Sequence, residues 1–314
     1  VEPDFQTNVP GIYIAGELGG MGLIRNAVTQ GVQAVESICK MDGIGRGDQL
    51  DLVIVGAGPA GIGASLAAKS RKLKFATVEQ ESLGGTVSHY PRGKIVMTAP
   101  VKLPLVGKMN FRETTKEVLM QYWEKIVAAS GLDISDNERV ESIEPGSAGF
   151  NIKTTRNSYN SKAVLLAIGR RGTPRTLGVP GEEKPKVVYR LIDPEQYRGQ
   201  HVLVVGGGDS ALEAAVSIAE EAGTTVTLSY RSEAFSRAKE KNRNKVDNAE
   251  KAGRLQVLMS SNVKQITDNE VTINANDKDM TIANDAVIVC AGGILPTPFL
   301  KSVGIEVETK YGTA

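Results

Sequence analysis

The chain has 314 residues and a mass of 33.4 kDa, a length that suggests about two domains of ~150 residues each. Apolar residues make up 41 % of it, enough for buried cores, and 37 basic against 36 acidic residues leave a formal net charge of +1. This balance argues against a nucleic-acid or membrane-surface protein, which usually carries a basic excess, and no apolar run approaches the ~18 residues that span a bilayer.

The first motif follows a short β-branched run, residues 51–55, of the kind buried in a parallel sheet. A G-x-G-x-x-G turn comes next, then a helical stretch to about Ser70 and a second strand over 73–78 that ends in an acid. In a dinucleotide site the glycines make the tight turn, admit the pyrophosphate to the helix N-terminus and let helix pack on strand, while the acid accepts hydrogen bonds from a ribose diol. The candidate cofactor-binding residues are Gly56, Gly58, Pro59, Ala60, Gly61, Glu79 and Gln80. The alternative is a glycine turn that is purely structural.

The same pattern repeats with strands predicted over 201–205 and 224–230 and a helix over 211–222. Its turn residues are Gly206, Gly208, Asp209, Ser210 and Ala211, with alanine in place of the third glycine, which the fingerprint allows. The second strand ends at Tyr230 without an acid, and Arg231 and Arg237 follow. A cation in this place suits a 2′-phosphate, so we predict NADP(H) at the second site. Most of the cations over 239–245 are expected to form a solvated helix face.

Each of these units closes with a strand that runs into a Gly/Pro-rich crossover. The first strand covers 162–168 and brings the candidates Ala167 and Gly169; the second covers 285–290 and brings Ala291 and Gly292. One βαβ domain is therefore predicted to be inserted into another, which gives an α/β protein with two Rossmann-like dinucleotide-binding domains. We expect the first domain over 1–172 and 293–314 and the inserted domain over 173–292.

In these motifs, residues 51–314 resemble the low-molecular-weight thioredoxin-reductase-like flavoproteins. The matching pieces, in the family's order, are 55–61, 84–86, 165–169, 178–182, 206–211 and 291–292. The resemblance implies FAD at the first site and NADPH at the second. It also implies that Gly85 and Thr86 line the first site and that Val140 contacts the adenine through its backbone.

The chain departs from thioredoxin reductases in its chemistry, because residues 187–197 lack the Cys-x-x-Cys pair that the family carries there. It is similar to the branch without this pair, which includes ferredoxin–NADP reductases and bacillithiol-disulfide reductases, although Ala60 stands where the latter have a cysteine. The resemblance implies that Tyr90 stacks on the flavin, with His89 gating or protonating near it. The alternative is that the two residues belong to a packed turn.

A second departure concerns the order of segments. Residues 9–17 are very similar to a segment that lies near the C-terminus in the family, usually with Asp where this chain has Glu17. The resemblance implies that Gly16 and Glu17 bind the ribityl part of FAD and that a helix beginning at Leu23 and Ile24 directs its positive end at the flavin. We therefore expect a circular permutation, or a piece of a longer protein, in which 1–38 dock beside the 51–55 strand and 40–49 form a linker.

Cysteine and histidine are scarce, with two residues of each type. This excludes a disulfide scaffold and a four-cysteine zinc site, so we expect no metal and a reducing, cytoplasmic compartment. The predicted function is an NADPH-dependent FAD oxidoreductase that passes electrons to a ferredoxin-like protein, a low-molecular-weight disulfide or a quinone. The alternative is a non-catalytic sensor or electron-relay module of a larger assembly. We expect a homodimer and no nucleic-acid partner.

Overall fold

The computed structural model describes residues 1–19, 23–90, 92–170 and 172–308, and it divides the chain into two units. The first unit comprises Val1–Gly172 together with the chain from Leu295 onward, and the second comprises Thr173–Ile294. The predicted boundary of the inserted domain, residue 292, lies two residues before this one. Residues 309–314, predicted to belong to the first domain, lie outside the described residues.

The first unit contains most of the strands and three of the longer helices. Its strands are β1 (Ile12–Ile14), β2 (Leu50–Val55), β3 (Phe75–Val78), β4 (Ile95–Met97), β5 (Val101–Leu103), β6 (Gly107–Met109), β7 (Glu113–Thr115), β8 (Ile134–Ser135), β9 (Val140–Gly146), β10 (Gly149–Thr154) and β11 (Ser158–Leu166). Its helices here are α1 (Ile24–Ile38), α2 (Pro59–Ser70) and α3 (Lys116–Ser130).

The main sheet of this unit has the order β8-β3-β2-β11-β10-β9, and β1 also pairs with β11. The neighbours β8, β3, β2, β11 and β1 run parallel, whereas β9 and β10 form an antiparallel extension. In register, Ile12 lies opposite Val164 and Ile14 opposite Leu166. The N-terminal segment thus adds a fully buried strand next to β11, one strand away from β2.

Helices α1 and α2 cross so closely that side chains are excluded at the contact. A Cβ atom on Gly31 would lie 2.0 Å from the carbonyl oxygen of Ala60, and one on Gly63 would lie 2.6 Å from that of Val28. Because only glycine leaves this space, the two helices can bury their small residues against Leu52 and the rest of one face of the sheet.

A buried ion pair fastens the linker between α1 and β2. Lys162 Nζ donates to Asp51 Oδ1 at 2.7 Å and to the carbonyl oxygen of Gly43 at 2.8 Å, and Asp51 also accepts from the backbone N–H groups of Gly45 (2.8 Å) and Lys74 (3.0 Å). Burial alone would raise the pKa of Asp51, but these hydrogen bonds and the charge of Lys162 outweigh it, so that the pKa is lowered. The linker is therefore held by a charged group of the sheet.

A smaller region follows β3. Strand β4 pairs with β7 and β5 with β6, both antiparallel, and their inward residues pack on α3 around the fully buried Trp123. Tyr122 lies edge-to-face with Phe111, with ring centroids 5.1 Å apart. Both aromatic residues of α3 thus take part in this core, Trp123 fully buried and Tyr122 half-buried.

The second unit repeats the parallel βαβ arrangement. Its strands are β12 (Thr173–Pro174), β13 (Val187–Val188), β14 (His201–Val205), β15 (Thr225–Ser229), β16 (Leu255–Leu258), β17 (Ser261–Ile266), β18 (Glu270–Ala275), β19 (Lys278–Ala283), β20 (Ala286–Val289) and β21 (Gly293–Ile294), and its helices are α4 (Asp209–Ala219) and α5 (Glu240–Lys251). A parallel sheet has the order β13-β20-β14-β15-β16, and β17-β18-β19 form an antiparallel sheet. The chain then returns to the first unit with α6 (Thr297–Ser302).

In the part of the chain that the structure describes, no helix combines the length and the apolar character needed to cross a bilayer.

Replacing Lys162 by methionine is expected to destabilise the protein by on the order of 3 kcal/mol, because it leaves the buried carboxylate of Asp51 without its charge partner. Lys153→Met is the matched control on a neighbouring strand, since its pair with Glu141 is exposed and worth at most ~1 kcal/mol. Urea unfolding at pH 7 measures both. The loss in free energy of unfolding caused by Lys162→Met should become smaller as the pH falls below ~3.9 and through the lowered pKa of Asp51. A protonated Asp51 carboxyl carries no charge and therefore gains nothing from a cationic partner. Equal losses in the two variants at pH 7 would contradict this reasoning.

Candidate nucleotide-binding sites

The first glycine turn joins β2 to α2 and is sterically restricted to glycine. Gly56 has φ +106°, and a Cβ atom there would lie 2.5 Å from the carbonyl oxygen of Ala167; one on Gly61 would lie 1.8 Å from that of Gly56. The N–H of Ala167 in turn donates to the carbonyl of Val55 at 2.8 Å. The closing strand and the turn are therefore packed backbone to backbone.

The N-terminus of α2 is open. Its cap residue is Gly58, which has no side chain to accept the first N–H groups, and the helix begins at Pro59. Gly85 approaches from the next loop, where an added Cβ would lie 3.0 Å from the Cα of Gly58, and the N–H of Gly84 donates to the carbonyl of Ala57 at 2.9 Å. The structure thus brings Gly85 and the half-buried Thr86 to the first turn.

Glu79 ends β3 as predicted, but its carboxylate folds back onto the backbone. It is 6 % exposed, and its oxygens accept from the N–H of Ala57 at 2.7 Å and of Glu81 at 3.0 Å. Burial raises the pKa of this carboxyl, although the two hydrogen bonds act in the opposite sense. The acid therefore orders the glycine turn, and its remaining lone pairs are what a ribose diol would use. Gln80 is exposed.

The segment that leads into β9 lies beside this acid. The N–H of Glu79 donates to the carbonyl of Ser135, and the N–H of Glu138 donates to the carbonyl of Glu79 at 2.8 Å. Val140, the first residue of β9, is 9 % exposed. The candidate adenine contact thus follows two residues after the backbone hydrogen bond between Glu138 and Glu79.

The N-terminal segment reaches the same turn from the other side. A Cβ atom on Gly16 would lie 3.1 Å from the Cβ of Ala60, and the N–H of Gly16 donates to Gln30 Oε1 at 2.8 Å. Glu17 is exposed at the start of a 3₁₀ turn. Helix α1 begins at Ile24 with Leu23 as its cap residue, an apolar side chain that cannot cap and is 52 % exposed. Gln30 was not predicted, because nothing in the local pattern of α1 marks it.

His89 and Tyr90 end a 3₁₀ turn over Gly85–His89. His89 Nε2 lies 2.5 Å from Glu81 Oε2, and the carbonyl of Tyr90 accepts from Lys116 Nζ at 2.6 Å. The ring of Tyr90 is half-buried against the cluster around Trp123. These contacts fit the packed-turn alternative, and a catalytic role for either residue stays a prediction.

The second glycine turn joins β14 to α4. Gly206 has φ +147°, and a Cβ atom there would lie 2.4 Å from the carbonyl of Cys290; one on Gly207 would lie 2.3 Å from the ring of Tyr230. At Gly208, by contrast, no heavy atom of the residues described would come within 4 Å of an added Cβ. Gly208 caps α4 without a side chain, Ala211 is fully buried and Ser210 is exposed.

The cationic loop after β15 follows this turn. Tyr230 stacks on Phe235 with ring centroids 5.5 Å apart and an interplanar angle of 22°. Arg231 and Arg237 are both exposed, and within the described ranges neither guanidinium forms a hydrogen bond or ion pair. The carboxylate of Asp209 points at the start of α5 and accepts from the N–H of Lys239 at 2.8 Å.

The two crossovers keep open space at the ends of the closing strands. At Gly169 and Gly292 no heavy atom among the described residues would lie within 4 Å of an added Cβ. Ala291 is half-buried beside the second of these positions. Each glycine turn thus faces a crossover that leaves room for a ligand.

Both turns fit a dinucleotide. Each presents an uncapped helix N-terminus behind a glycine whose missing side chain leaves a cradle, which is the arrangement that binds a pyrophosphate. The fold and these turns define an α/β protein with two candidate dinucleotide sites.

Residues 53–313 match the family described as pyridine nucleotide-disulphide oxidoreductase, and the chain belongs to this family. It is 31 % identical over 274 residues to a ferredoxin–NADP reductase of Thermus thermophilus, which covers 83 % of this chain and 78 % of that protein. It is 26 % identical over 266 residues to the bacilliredoxin reductase Bdr of Bacillus subtilis, covering 83 % and 82 %. Among solved structures, the bacillithiol disulfide reductase of Staphylococcus aureus superposes with a TM-score of 0.66 at 26 % identity over 84 % of this chain and 83 % of that one.

These matches confirm the predicted α/β fold with two Rossmann-like domains and the predicted class of NAD(P)H-dependent flavoprotein oxidoreductase. The predicted cofactors, FAD and NADP(H), are those of the family, and the resemblance to the branch of ferredoxin–NADP and bacillithiol-disulfide reductases is confirmed. The residue assignments and the permuted order of segments stay predictions.

Gly208→Ala is expected to weaken NADPH binding at least about tenfold while it leaves the melting temperature nearly unchanged, because the added methyl meets only the space kept for a phosphate. Gly207→Ala is the contrasting variant, since its methyl would strike the ring of Tyr230 and overpacking costs ~1–3 kcal/mol. Calorimetric titration and thermal melting separate the two effects. Wild-type affinity in a folded Gly208 variant would show that no phosphate occupies this cradle.

Proposed function

We propose that the chain is an NADPH-dependent FAD reductase that delivers electrons directly from the flavin to an acceptor other than thioredoxin. The observation that carries the proposal is the contrast between two otherwise similar turns. Behind the first, the buried Glu79 suits a ribose diol; behind the second, the exposed Arg231 and Arg237 suit a 2′-phosphate.

We assign FAD to the first domain, residues 1–172 and 293–314, and NADPH to the inserted domain, residues 173–292. When bound, NADPH would supply a hydride and FAD would hold its two electrons for an acceptor that takes them together or one at a time. The open end of α1 at Leu23 directs partial positive charge toward the flavin ring, where negative charge develops on reduction. Gly16, fixed by Gln30 and packed on Ala60, holds the neighbouring Glu17 near the first turn, where Glu17 would bind the ribityl chain.

We propose that the N-terminal segment, residues 1–38, forms part of this FAD site. The chain would then have at its N-terminus the segment that the family has near its C-terminus. The parallel pairing of β1 with β11 and the glycine contact between α1 and α2 support this arrangement. The linker bound by Lys162 supports an intramolecular connection.

The acceptor receives electrons without a protein thiol in between. Residues 187–197 contain no cysteine, and Ala60 occupies the first turn. Burial raises the pKa of Cys39, which keeps this thiol protonated and a poor nucleophile. A ferredoxin-like protein, a low-molecular-weight disulfide or a quinone all remain acceptors of the right chemistry. Similar proteins are named for the first two kinds, a ferredoxin–NADP reductase and a bacillithiol disulfide reductase. We further propose a homodimer in the cytoplasm.

Anaerobic mixing of the FAD-loaded protein with NADPH is expected to bleach the flavin absorbance rapidly, and NADH should act more slowly. A bound flavin that NADPH does not reduce would favour the sensor module instead. Steady-state oxidation of NADPH with ferredoxin, bacillithiol disulfide and a quinone, each in turn, then identifies the acceptor. Turnover with thioredoxin alone would overturn the proposal.

Arg231→Ala and Arg237→Ala are each expected to raise KM for NADPH about tenfold or more and to leave KM for NADH unchanged, because a lost charge-assisted contact costs ~1.5–3 kcal/mol. Lys245→Ala is the control, an exposed cation on α5. Equal losses with both cofactors would show that these arginines do not contact the 2′-phosphate.

A further inference from the structure

Asp209 connects the second glycine turn to α5, the helix that follows the cationic loop. It is the first residue of α4, and its Oδ1 accepts from the backbone N–H of Lys239 and from Nδ2 of Asn242, both at 2.8 Å. Lys239 caps α5, and Asn242 lies in its first turn. One carboxylate oxygen of the nucleotide helix therefore holds the start of the next helix.

Asn242 is the buried member of this connection. It is 6 % exposed, and its amide Nδ2 also donates to Glu213 Oε1 at 3.1 Å, one turn further along α4. Its amide group thus bridges two carboxylates of α4, an arrangement in which only a donor is tolerated.

The loop over 231–239 is fixed at its other end as well. The N–H of Ser260 donates to the carbonyl of Ser232 at 3.1 Å, Phe235 is stacked on Tyr230, and Phe235 and Ala238 are buried. Arg231 and Arg237 therefore extend from a short segment held from both sides, while the guanidinium groups themselves are exposed.

We propose that Asn242 is a positioning residue for cofactor specificity: by clamping α5 to Asp209 and Glu213, it holds the arginine loop at the glycine turn and so favours NADP(H) over NAD(H). The inference rests on the proposed role of Arg231 and Arg237 at the 2′-phosphate. A pre-positioned loop loses less conformational entropy on binding, and this gain is made only with the cofactor that the loop contacts.

Asn242→Ala is expected to weaken binding of adenosine 2′,5′-bisphosphate about fivefold and to leave binding of 5′-AMP unchanged, measured by calorimetric titration of the full-length protein. KM for NADPH should rise by the same factor with kcat and the NADH kinetics unchanged. Asn244→Ala, an exposed asparagine on the same helix, should leave both ligands at wild-type affinity. Should the alanine variant not fold, Asn242→Asp provides the second test. It keeps the shape of the side chain but replaces the donor with a third acid beside Asp209 and Glu213, so the same selective loss of affinity for the bisphosphate is expected.

Equal weakening of both adenosine ligands by Asn242→Ala, or no change in either, would overturn the inference. The Arg231→Ala variant separates this result from a failure of the proposed site. If Arg231→Ala abolishes the preference for the bisphosphate and Asn242→Ala does not reduce it, the clamp alone is refuted. If neither variant alters the preference, the assignment of the 2′-phosphate to this loop fails as well.

Discussion

The backbone contact between α1 and α2 is the constraint on which the first site depends. Gly31 and Gly63 let the two helices approach to distances that any side chain would block, and Ala60 at the contact also lies against Gly16. A contact this close fixes the axial position of α1, so that its open N-terminus at Leu23 and the turn at Gly16 are set by the same packing that buries α2. In the proposed enzyme, flavin geometry follows from helix packing.

An ion pair between Lys162 and Asp51 stabilises the position of the linker between α1 and β2. The N-terminal segment is joined to β2 by a run of turns, and such a linker would leave the segment weakly held if it were free. Lys162 prevents this by donating both to the linker and to the buried Asp51, which has a lowered pKa and stays ionised across the neutral range. Breaking this pair would therefore loosen the strand and helix that complete the sheet, although neither group touches a nucleotide turn.

The sequence predicted those features whose causes are local. Gly56 and Gly206 are recognisable because each stands between a strand and a helix, at a place where the backbone of the closing strand leaves no room for a Cβ atom. Gly31 and Gly63 were missed because a glycine inside a helix has no such local signature, and its need arises only from the opposing helix. The same holds for Asn242, a polar residue on a predicted solvated face whose burial depends on α4. The acid at the end of β3, Glu79, was predicted, but its hydrogen bonds from the backbone N–H groups of Ala57 and Glu81 were not.

Two copies of one βαβ pattern can carry different cofactors because the charge behind each turn differs. At the first turn the buried carboxylate of Glu79 accepts from two backbone N–H groups; it can also accept from hydroxyls, whereas its negative charge would repel a phosphate. At the second, the corresponding strand is followed by Tyr230 and not by an acid, and the carboxylate of Asp209 at the start of α4 accepts from Lys239 and Asn242. In the proposed site the exposed Arg231 and Arg237 supply the charge that meets the cofactor. Selectivity between the two nucleotides therefore depends as much on where each carboxylate is directed as on which residue types are present.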